Sequence, residues 1–132
     1  MPLSPRRAKL EKVLVVDDEP DIRRVGQMSL ELVGQLKVLL ASGGEEALSI
    51  AAEEQPDVIL LDVMMPRLDG PATLALLRSA PATADIPVIF MTAKVQKYEI
   101  DGYLAGGAKG VIFKPFDPMT LSQEIGRIAF SG

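Results

Sequence analysis

The sequence predicts an α/β protein with a doubly wound, five-stranded parallel sheet, and two features of the chain support this fold class. Five short apolar runs recur along the chain, and they are continuous rather than alternating, as in strands buried on both faces. Longer amphipathic stretches separate them, so the pattern is β-α repeated five times, which favours an open sheet with helices on both faces. The runs are residues 13–16, 38–40, 58–61, 88–91 and 111–113.

The amphipathic stretches predict five helices. Pro20 suits the first turn of the first helix, and residues 97–106 form a weaker fourth. Before the last helix, Asp117 is predicted as the N-cap, with Pro118 at the first helical position. The apolar stripes are Ile22, Val25, Met28 and Leu32 in the first helix, Ala47, Leu48 and Ala51 in the second, Leu74, Leu77 and Ala80 in the third, and Leu121, Ile125 and Ile128 in the last.

Length and composition indicate one packed domain. The 132 residues, 48% of them apolar, suffice for a single core, and we expect a leader at 1–10 and the domain at 11–132. The chain has no cysteine and no histidine, which excludes disulfides, thiolate or histidine metal sites, Ser-His-Asp catalysis and a phosphohistidine of its own.

Charge and hydropathy exclude two further classes of partner. With a net charge of −4, the chain is a poor candidate for direct nucleic-acid binding, which needs a basic face. It contains no apolar stretch near the ~20 residues that cross a bilayer, and its start lacks the apolar segment of a signal peptide. We therefore expect a cytoplasmic protein that binds neither nucleic acid nor membrane directly.

Chemically capable residues follow four of the apolar runs. They are Asp17 and Asp18 after the first run, Asp62 after the third, Thr92 after the fourth and Lys114 after the fifth. Function gathers at the carboxyl ends of strands in such sheets. Three carboxylates brought together repel one another, and a hard cation such as Mg²⁺ relieves this. A carboxylate can attack phosphorus, with a lysine and a hydroxyl stabilising the transferred group.

Four segments containing these residues resemble the response-regulator receiver domain of two-component signalling. They are residues 15–20 (VVDDEP), 62–70 (DVMMPRLDG), 87–93 (PVIFMTA) and 114–116 (KPF), in the order and at the spacing of that family. The resemblance covers roughly residues 11 to 130. It implies a flavodoxin-like (β/α)5 fold with strand order 2-1-3-4-5.

The resemblance also implies a role for each site residue. Asp62 would be the phosphoacceptor, and Asp17, Asp18, Asp62 and the backbone carbonyl of Met64 would bind Mg²⁺. Thr92 and Lys114 would contact the phosphoryl group, and the Lys114-Pro115 peptide bond is expected to be cis. Asp69 is interpreted as turn chemistry rather than as a ligand.

Partners follow from the same resemblance. A histidine kinase or histidine phosphotransfer protein would donate the phosphoryl group. An unknown downstream protein would bind the face formed by helix 4, strand 5 and helix 5, where the candidates are Tyr98, Tyr103, Leu104 and Lys109. Whether the chain acts alone or within a larger regulator or hybrid kinase stays open.

One position departs from the family pattern. Val111 stands where an aromatic residue is usual, three residues before Lys114, and Phe113 should share its face of the strand. This leaves open a pseudo-receiver that binds partners without switching. A small phosphohydrolase of the haloacid-dehalogenase type is a third hypothesis, although such enzymes place the nucleophile after the first strand, as Asp-x-Asp.

Overall fold

The computed structural model, which describes residues 9–130, has one five-stranded parallel sheet with helices on both faces. The elements are β1 (Lys12–Val16), α1 (Pro20–Met28), a π-helical segment (Ser29–Val33), β2 (Lys37–Ala41), α2 (Gly44–Glu54), β3 (Val58–Asp62), α3 (Gly70–Ser79), β4 (Val88–Ala93), α4 (Lys97–Ala105), β5 (Gly110–Lys114) and α5 (Leu121–Ala129). The strand order β2-β1-β3-β4-β5 confirms the predicted topology. Residues 1–8 of the predicted leader lie outside the described residues.

Two apolar layers fill the space above and below the sheet. One layer packs α2 and α3 against alternate side chains of the sheet, and the other packs the π-helical segment and α5 against its opposite face. The side chains of β3 are buried along its whole length, as the continuous apolar run predicts for a central strand. This rigid centre carries Asp62 as its last residue. No helix among residues 9–130 is long and apolar enough to cross a bilayer.

The first helix forms as predicted, but its predicted apolar stripe is wrong as a buried face. Ile22 packs partly buried against the core, whereas Val25, Met28 and Leu32 are 44%, 50% and 72% exposed. Burial follows the closest approach of the helix to the sheet rather than the positions of the largest apolar side chains. The residues buried instead are Gly26 in α1 and Ser29 and Leu30 in the π-helical segment.

The predicted start of the last helix is also wrong. Residues 118–120 form a turn, and α5 begins only at Leu121, with Thr120 as its N-cap. Asp117 caps the turn instead, because its Oδ1 accepts a hydrogen bond from the amide of Met119 at 2.9 Å. Its backbone carbonyl accepts from the amides of Thr120 and Leu121. Asp117 therefore acts as a cap, but it caps the turn that precedes α5 rather than α5 itself.

The segment after β3 returns the chain closely past the end of that strand. Asp69 is the N-cap of α3, since its Oδ1 accepts from the amide of Ala72 at 2.9 Å, which confirms its turn role. The amide of Gly70 donates to the carbonyl of Val63 at 2.9 Å. A Cβ atom at Gly70 would lie 2.6 Å from the carbonyl oxygen of Asp62 and 2.8 Å from Cα of Val63. Only glycine fits this approach without moving the backbone that carries Asp62.

We predict that Gly70→Ala lowers the free energy of unfolding by about 1–3 kcal/mol, because the added methyl group meets backbone atoms that cannot rotate away. Urea denaturation measures this change. Gly102→Ala in α4 is the matched control, since a Cβ there meets nothing within 4 Å and should stabilise the helix by about 0.5–1 kcal/mol. Equal effects of the two variants would contradict the packing argument.

Candidate functional site

The predicted site residues meet at the carboxyl edge of the sheet. Asp17 and Asp18 follow β1, and Asp62 ends the neighbouring strand β3. Asp62 lies opposite Met91 in the ladder, so Thr92 is one step further along β4. Lys114 ends β5 opposite Ala93. The order of the four strands thus places an acidic group on one side of Asp62 and the hydroxyl and the ammonium on the other.

Three carboxylates form a compact cluster at this edge. One oxygen from each of Asp17, Asp18 and Asp62 lies within 4.8 Å of the others. Asp17 is fully buried and Asp62 is 3% exposed, whereas Asp18 is the most exposed of the three. Two carboxylates are therefore withdrawn from water, with the third at the opening. Charges held this close and this dry repel strongly unless a cation or a proton joins them.

The ammonium group of Lys114 lies among these carboxylates. Its Nζ is 2.9 Å from Oδ2 of Asp17, 3.0 Å from Oδ1 of Asp62 and 3.8 Å from Oε1 of Glu19. Burial disfavours the charge on Lys114, but the contacts with Asp17 and Asp62 outweigh it and raise the pKa of the lysine above its usual value. The lysine is therefore held charged. The peptide bond from Lys114 to Pro115 is cis, as predicted.

Asp62 has a shifted proton affinity. Burial raises the pKa of Asp62 from 3.8 to about 6, because desolvation penalises the carboxylate more than the Lys114 hydrogen bond favours it. The negative charges of Asp17 and Asp18 raise this pKa further. A carboxylate that is reluctant to ionise in the metal-free protein gains from any cation placed beside it.

Asp17 is held by the surrounding backbone. Its amide donates to the carbonyl of Ala41 at 3.2 Å, and its Oδ1 accepts from the amide of Glu19 at 2.9 Å. Its Oδ2 is buried, and the neighbour that balances its charge is the ammonium of Lys114, 2.9 Å away. A buried carboxylate oxygen in this state can still accept a ligand bond.

This arrangement fits a hard divalent cation. Carboxylate oxygens are the ligands that Mg²⁺ prefers, and Asp18, the most exposed of the three, lies where the waters that Mg²⁺ retains have room. The incompletely satisfied Oδ2 of Asp17 supplies a donor atom, and the cluster supplies the negative charge. Met64 lies two residues beyond Asp62 with its side chain 76% exposed, so its backbone carbonyl stays a predicted ligand.

Sequence reasoning missed two residues that border the cluster. Glu19 reaches toward Lys114, and Nη1 of Arg23 donates to the backbone carbonyl of Asp17 at 2.8 Å. The signal for Arg23 was a cationic residue in the first turn of a helix, where the helix dipole disfavours positive charge. The signal for Glu19 was its place directly after the two aspartates.

Val111, the valine at the position where the family usually has an aromatic residue, lies on the side of the site nearest α4. Val111 is half-buried against the core beside Phe90, whereas Phe113 is 40% exposed and lies opposite Thr92 in the ladder. Tyr103 of α4 is also half-buried, with its ring 5.0 Å from that of Phe90 in an edge-to-face contact. Among the predicted surface candidates, Tyr98 and Leu104 are 74% and 43% exposed, and Lys109 is exposed.

We predict that Asp62→Asn removes a pH-dependent cost to stability. Between pH 3.8 and about 6 the folded protein keeps a proton on Asp62 that the unfolded chain has released, so without metal the free energy of unfolding falls as pH rises through this window. Asparagine carries no such charge, and the variant should gain on the order of 2 kcal/mol over the wild type by pH ~7.

Urea unfolding in chelator, from pH ~4 to ~7, measures the difference between the two proteins. The exposed Asp21, changed to Asn, is the control and should follow the wild type. A constant difference between Asp62→Asn and the wild type across the window would show that the pKa of Asp62 is not raised.

Comparison with known proteins assigns a family. The model of the response regulator receiver domain matches residues 13–126. The probable transcriptional regulator ycf27 of Guillardia theta is 41% identical over 115 residues, which are 87% of this chain and 44% of that protein. The alkaline phosphatase synthesis transcriptional regulatory protein PhoP of Bacillus subtilis is 40% identical, over 87% of this chain and 47% of its own length. The chain thus spans about half the length of these relatives.

Solved structures agree with the sequence comparison. The chemotaxis protein CheY4 of Vibrio cholerae superposes with a TM-score of 0.83 at 32% identity, covering 91% of this chain and 99% of its own. The N-terminal domain of a response regulator receiver protein from Methanoculleus marisnigri has a TM-score of 0.75 at 38% identity, covering 89% and 94%. Since the matched residues include the acidic cluster, Thr92 and Lys114 and the fold is shared, this chain belongs to the response regulator receiver family of two-component signalling.

Proposed function

We propose that this receiver accepts a phosphoryl group on Asp62 from a histidine kinase or a histidine phosphotransfer protein, in a reaction that depends on Mg²⁺, and thereby switches the binding of a partner. The observation that carries the proposal is the position of Asp62. Its buried carboxylate ends the central strand β3, with an ammonium group 3.0 Å away and two further carboxylates beside it. These 132 residues contain no histidine, so the phosphohistidine must lie outside them.

The transfer is a displacement at phosphorus. An oxygen of Asp62 forms a bond to phosphorus as the bond from phosphorus to the donor's imidazole nitrogen breaks, and the electron pair of that bond leaves with the imidazole. Lys114 stabilises the added charge on the phosphoryl oxygens, and the hydroxyl of Thr92 donates a hydrogen bond to them. Mg²⁺, held by Asp17, Asp18, Asp62 and the carbonyl of Met64, would neutralise charge on the carboxylates and the phosphoryl group.

Phosphorylation changes what Lys114 binds. Before transfer its ammonium is shared between Asp17 and Asp62, and afterwards a phosphoryl oxygen competes for it with more negative charge. Phe90 of β4 contacts Tyr103 of α4, and β5 packs against the same helix, so we propose that a shift of Thr92 or Lys114 is passed to the surface around Tyr98 and Leu104. We propose this α4–β5–α5 face as the site where a downstream protein binds.

Transcriptional control, which the names of the relatives state for those proteins, would reach this chain only through another domain or protein. The described chain is acidic overall, and a basic face for phosphate contacts is not what its composition offers. The output is therefore proposed as protein binding.

Phosphorylation itself is measured by intact mass after incubation with Mg²⁺ and acetyl phosphate. We expect the wild type to gain one phosphoryl group and Asp62→Asn to gain none, because its amide is not a nucleophile toward phosphorus. Asp21→Asn is the matched control and should gain as much as the wild type, since Asp21 is an exposed aspartate near the same edge. Equal gain by Asp62→Asn would refute the assignment of Asp62, and steady turnover of a phosphomonoester would favour a phosphohydrolase.

Switching is tested separately, by amide NMR shifts with Mg²⁺ and beryllofluoride as a phosphoryl mimic. We expect changes at Thr92, Val111 and Phe113 that exceed those at the amino ends of the strands, and none in Asp62→Asn. Val111 in place of an aromatic residue is the observation that favours a pseudo-receiver. Shifts confined to the acidic cluster, with Thr92 and Phe113 unchanged, would establish that alternative.

A further inference from the structure

The backbone of Asp17 has a partner from an unexpected source. The guanidinium of Arg23, six residues along the chain, donates from Nη1 to the carbonyl oxygen of Asp17 at 2.8 Å. The backbone hydrogen bonding of α1 begins two residues later, where the amide of Arg23 bonds the carbonyl of Glu19. The carbonyl of Asp17 therefore lies between the end of β1 and the start of the helix, in a residue that is fully buried. A buried carbonyl without a donor is unfavourable, and Arg23 meets that need.

The location of Arg23 indicates that its role is tertiary. The helix begins at Pro20, so Arg23 lies in the first turn, where the dipole of the helix disfavours a cation. Arg24, the next residue, is exposed, whereas Arg23 is partly buried. A cation kept in this position despite the dipole is held by contacts outside its own helix.

The positive charge of Arg23 also acts on a carboxylate at the start of α2. Glu46 accepts hydrogen bonds from the amide and the hydroxyl of Ser42, at 2.6 and 3.0 Å. These bonds lower the pKa of Glu46, and the positive charge of Arg23 lowers it further. Arg23 thus acts on the turn after β1 through a direct hydrogen bond and on Glu46 of α2 through its charge.

From these contacts we infer that Arg23 is a positioning residue for the cation site: by holding the carbonyl of Asp17, it fixes the turn from which the carboxylates of Asp17 and Asp18 reach the ion. The inference rests on the proposed Mg²⁺ site. Arg23 itself does not contact the ion. Its backbone bond and the bond from the amide of Glu19 to Oδ1 of Asp17 hold the same residue from two directions.

Charge and positioning predict opposite effects when Arg23 is replaced. Removal of a positive charge near a cation site strengthens cation binding, because repulsion falls. Loss of the bond to the Asp17 carbonyl weakens cation binding, because the ligands are no longer held in place. The direction of the change therefore separates the two roles, and Arg24→Gln gives the charge effect alone.

The experiment is a calorimetric titration of the full chain with Mg²⁺ alone. We expect Arg23→Gln to raise the dissociation constant by about tenfold, as the loss of groups that orient metal ligands does. Arg24→Gln should leave it unchanged or lower it slightly. Arg23→Lys, which keeps the charge and one possible donor, should fall between the wild type and Arg23→Gln.

Amide NMR shifts of Asp18 and Glu19 in the metal-free protein give a second measurement, which should change in Arg23→Gln and not in Arg24→Gln. Urea unfolding checks that the variants are folded at the titration temperature, and Arg23→Lys decides the question if Arg23→Gln is not. Equal or tighter Mg²⁺ binding by both Arg23 variants, with normal binding by the wild type, overturns the inference and leaves the proposed function intact. A wild type that binds no Mg²⁺ overturns both.

Discussion

The structure of this receiver depends on how it accommodates three carboxylates within 4.8 Å of one another at the edge of its sheet. Two of them are buried, so water cannot weaken their repulsion. Two features relieve it: the ammonium of Lys114 lies between Asp17 and Asp62, and the pKa of Asp62 is raised, so that this group carries its charge only reluctantly. Both the Lys114 contacts and the pKa of Asp62 depend on the charge present at the site. Under the proposed function, a divalent cation or a phosphoryl group would change the charge at the same point and compete for the contacts of Lys114.

The framework around the cluster is built for close approach. Gly70 passes the end of β3 at a distance that admits no side chain, and the cap at Asp69 fixes where α3 starts. On the other side, Arg23 bonds the turn that follows β1. These contacts set the backbone from which the three carboxylates project. The repulsive site is therefore stabilised by neighbours that carry none of the proposed chemistry, and changes at those neighbours should affect cation binding without removing a ligand.

The sequence predicted the sheet and the gathering of Asp17, Asp18, Asp62 and Lys114 at its edge, and for the same reason. Continuous apolar runs identify strands buried on both faces, and the polar residues that end them must gather at one edge of a parallel sheet. The predictions that failed are those in which tertiary packing outweighs the pattern of apolar and polar residues. Val25, Met28 and Leu32 have helical spacing, but the helix approaches the sheet through Gly26 and Ser29, which a hydrophobicity pattern cannot weigh. Asp117 has the chemistry of a helix cap, yet it caps a turn, because the choice between a turn and a helix depends on how the following residues pack. Arg23 was missed because its partner is a backbone carbonyl, so the sequence marks only its unusual place in the first turn of a helix and not what it binds.

The contact between Tyr103 and Phe90 has a spectroscopic consequence. The chain contains two tyrosines and no tryptophan, and both tyrosines belong to α4. Tyr98 faces solvent, whereas Tyr103 rests against a fully buried ring of the strand that leads to Thr92. The intrinsic fluorescence and near-ultraviolet dichroism of tyrosine in this protein therefore come from a single helix, next to the strand pair that links the acidic cluster to the proposed partner surface. The two tyrosines are therefore intrinsic optical probes of α4, and no dye or engineered tryptophan is needed to observe this helix.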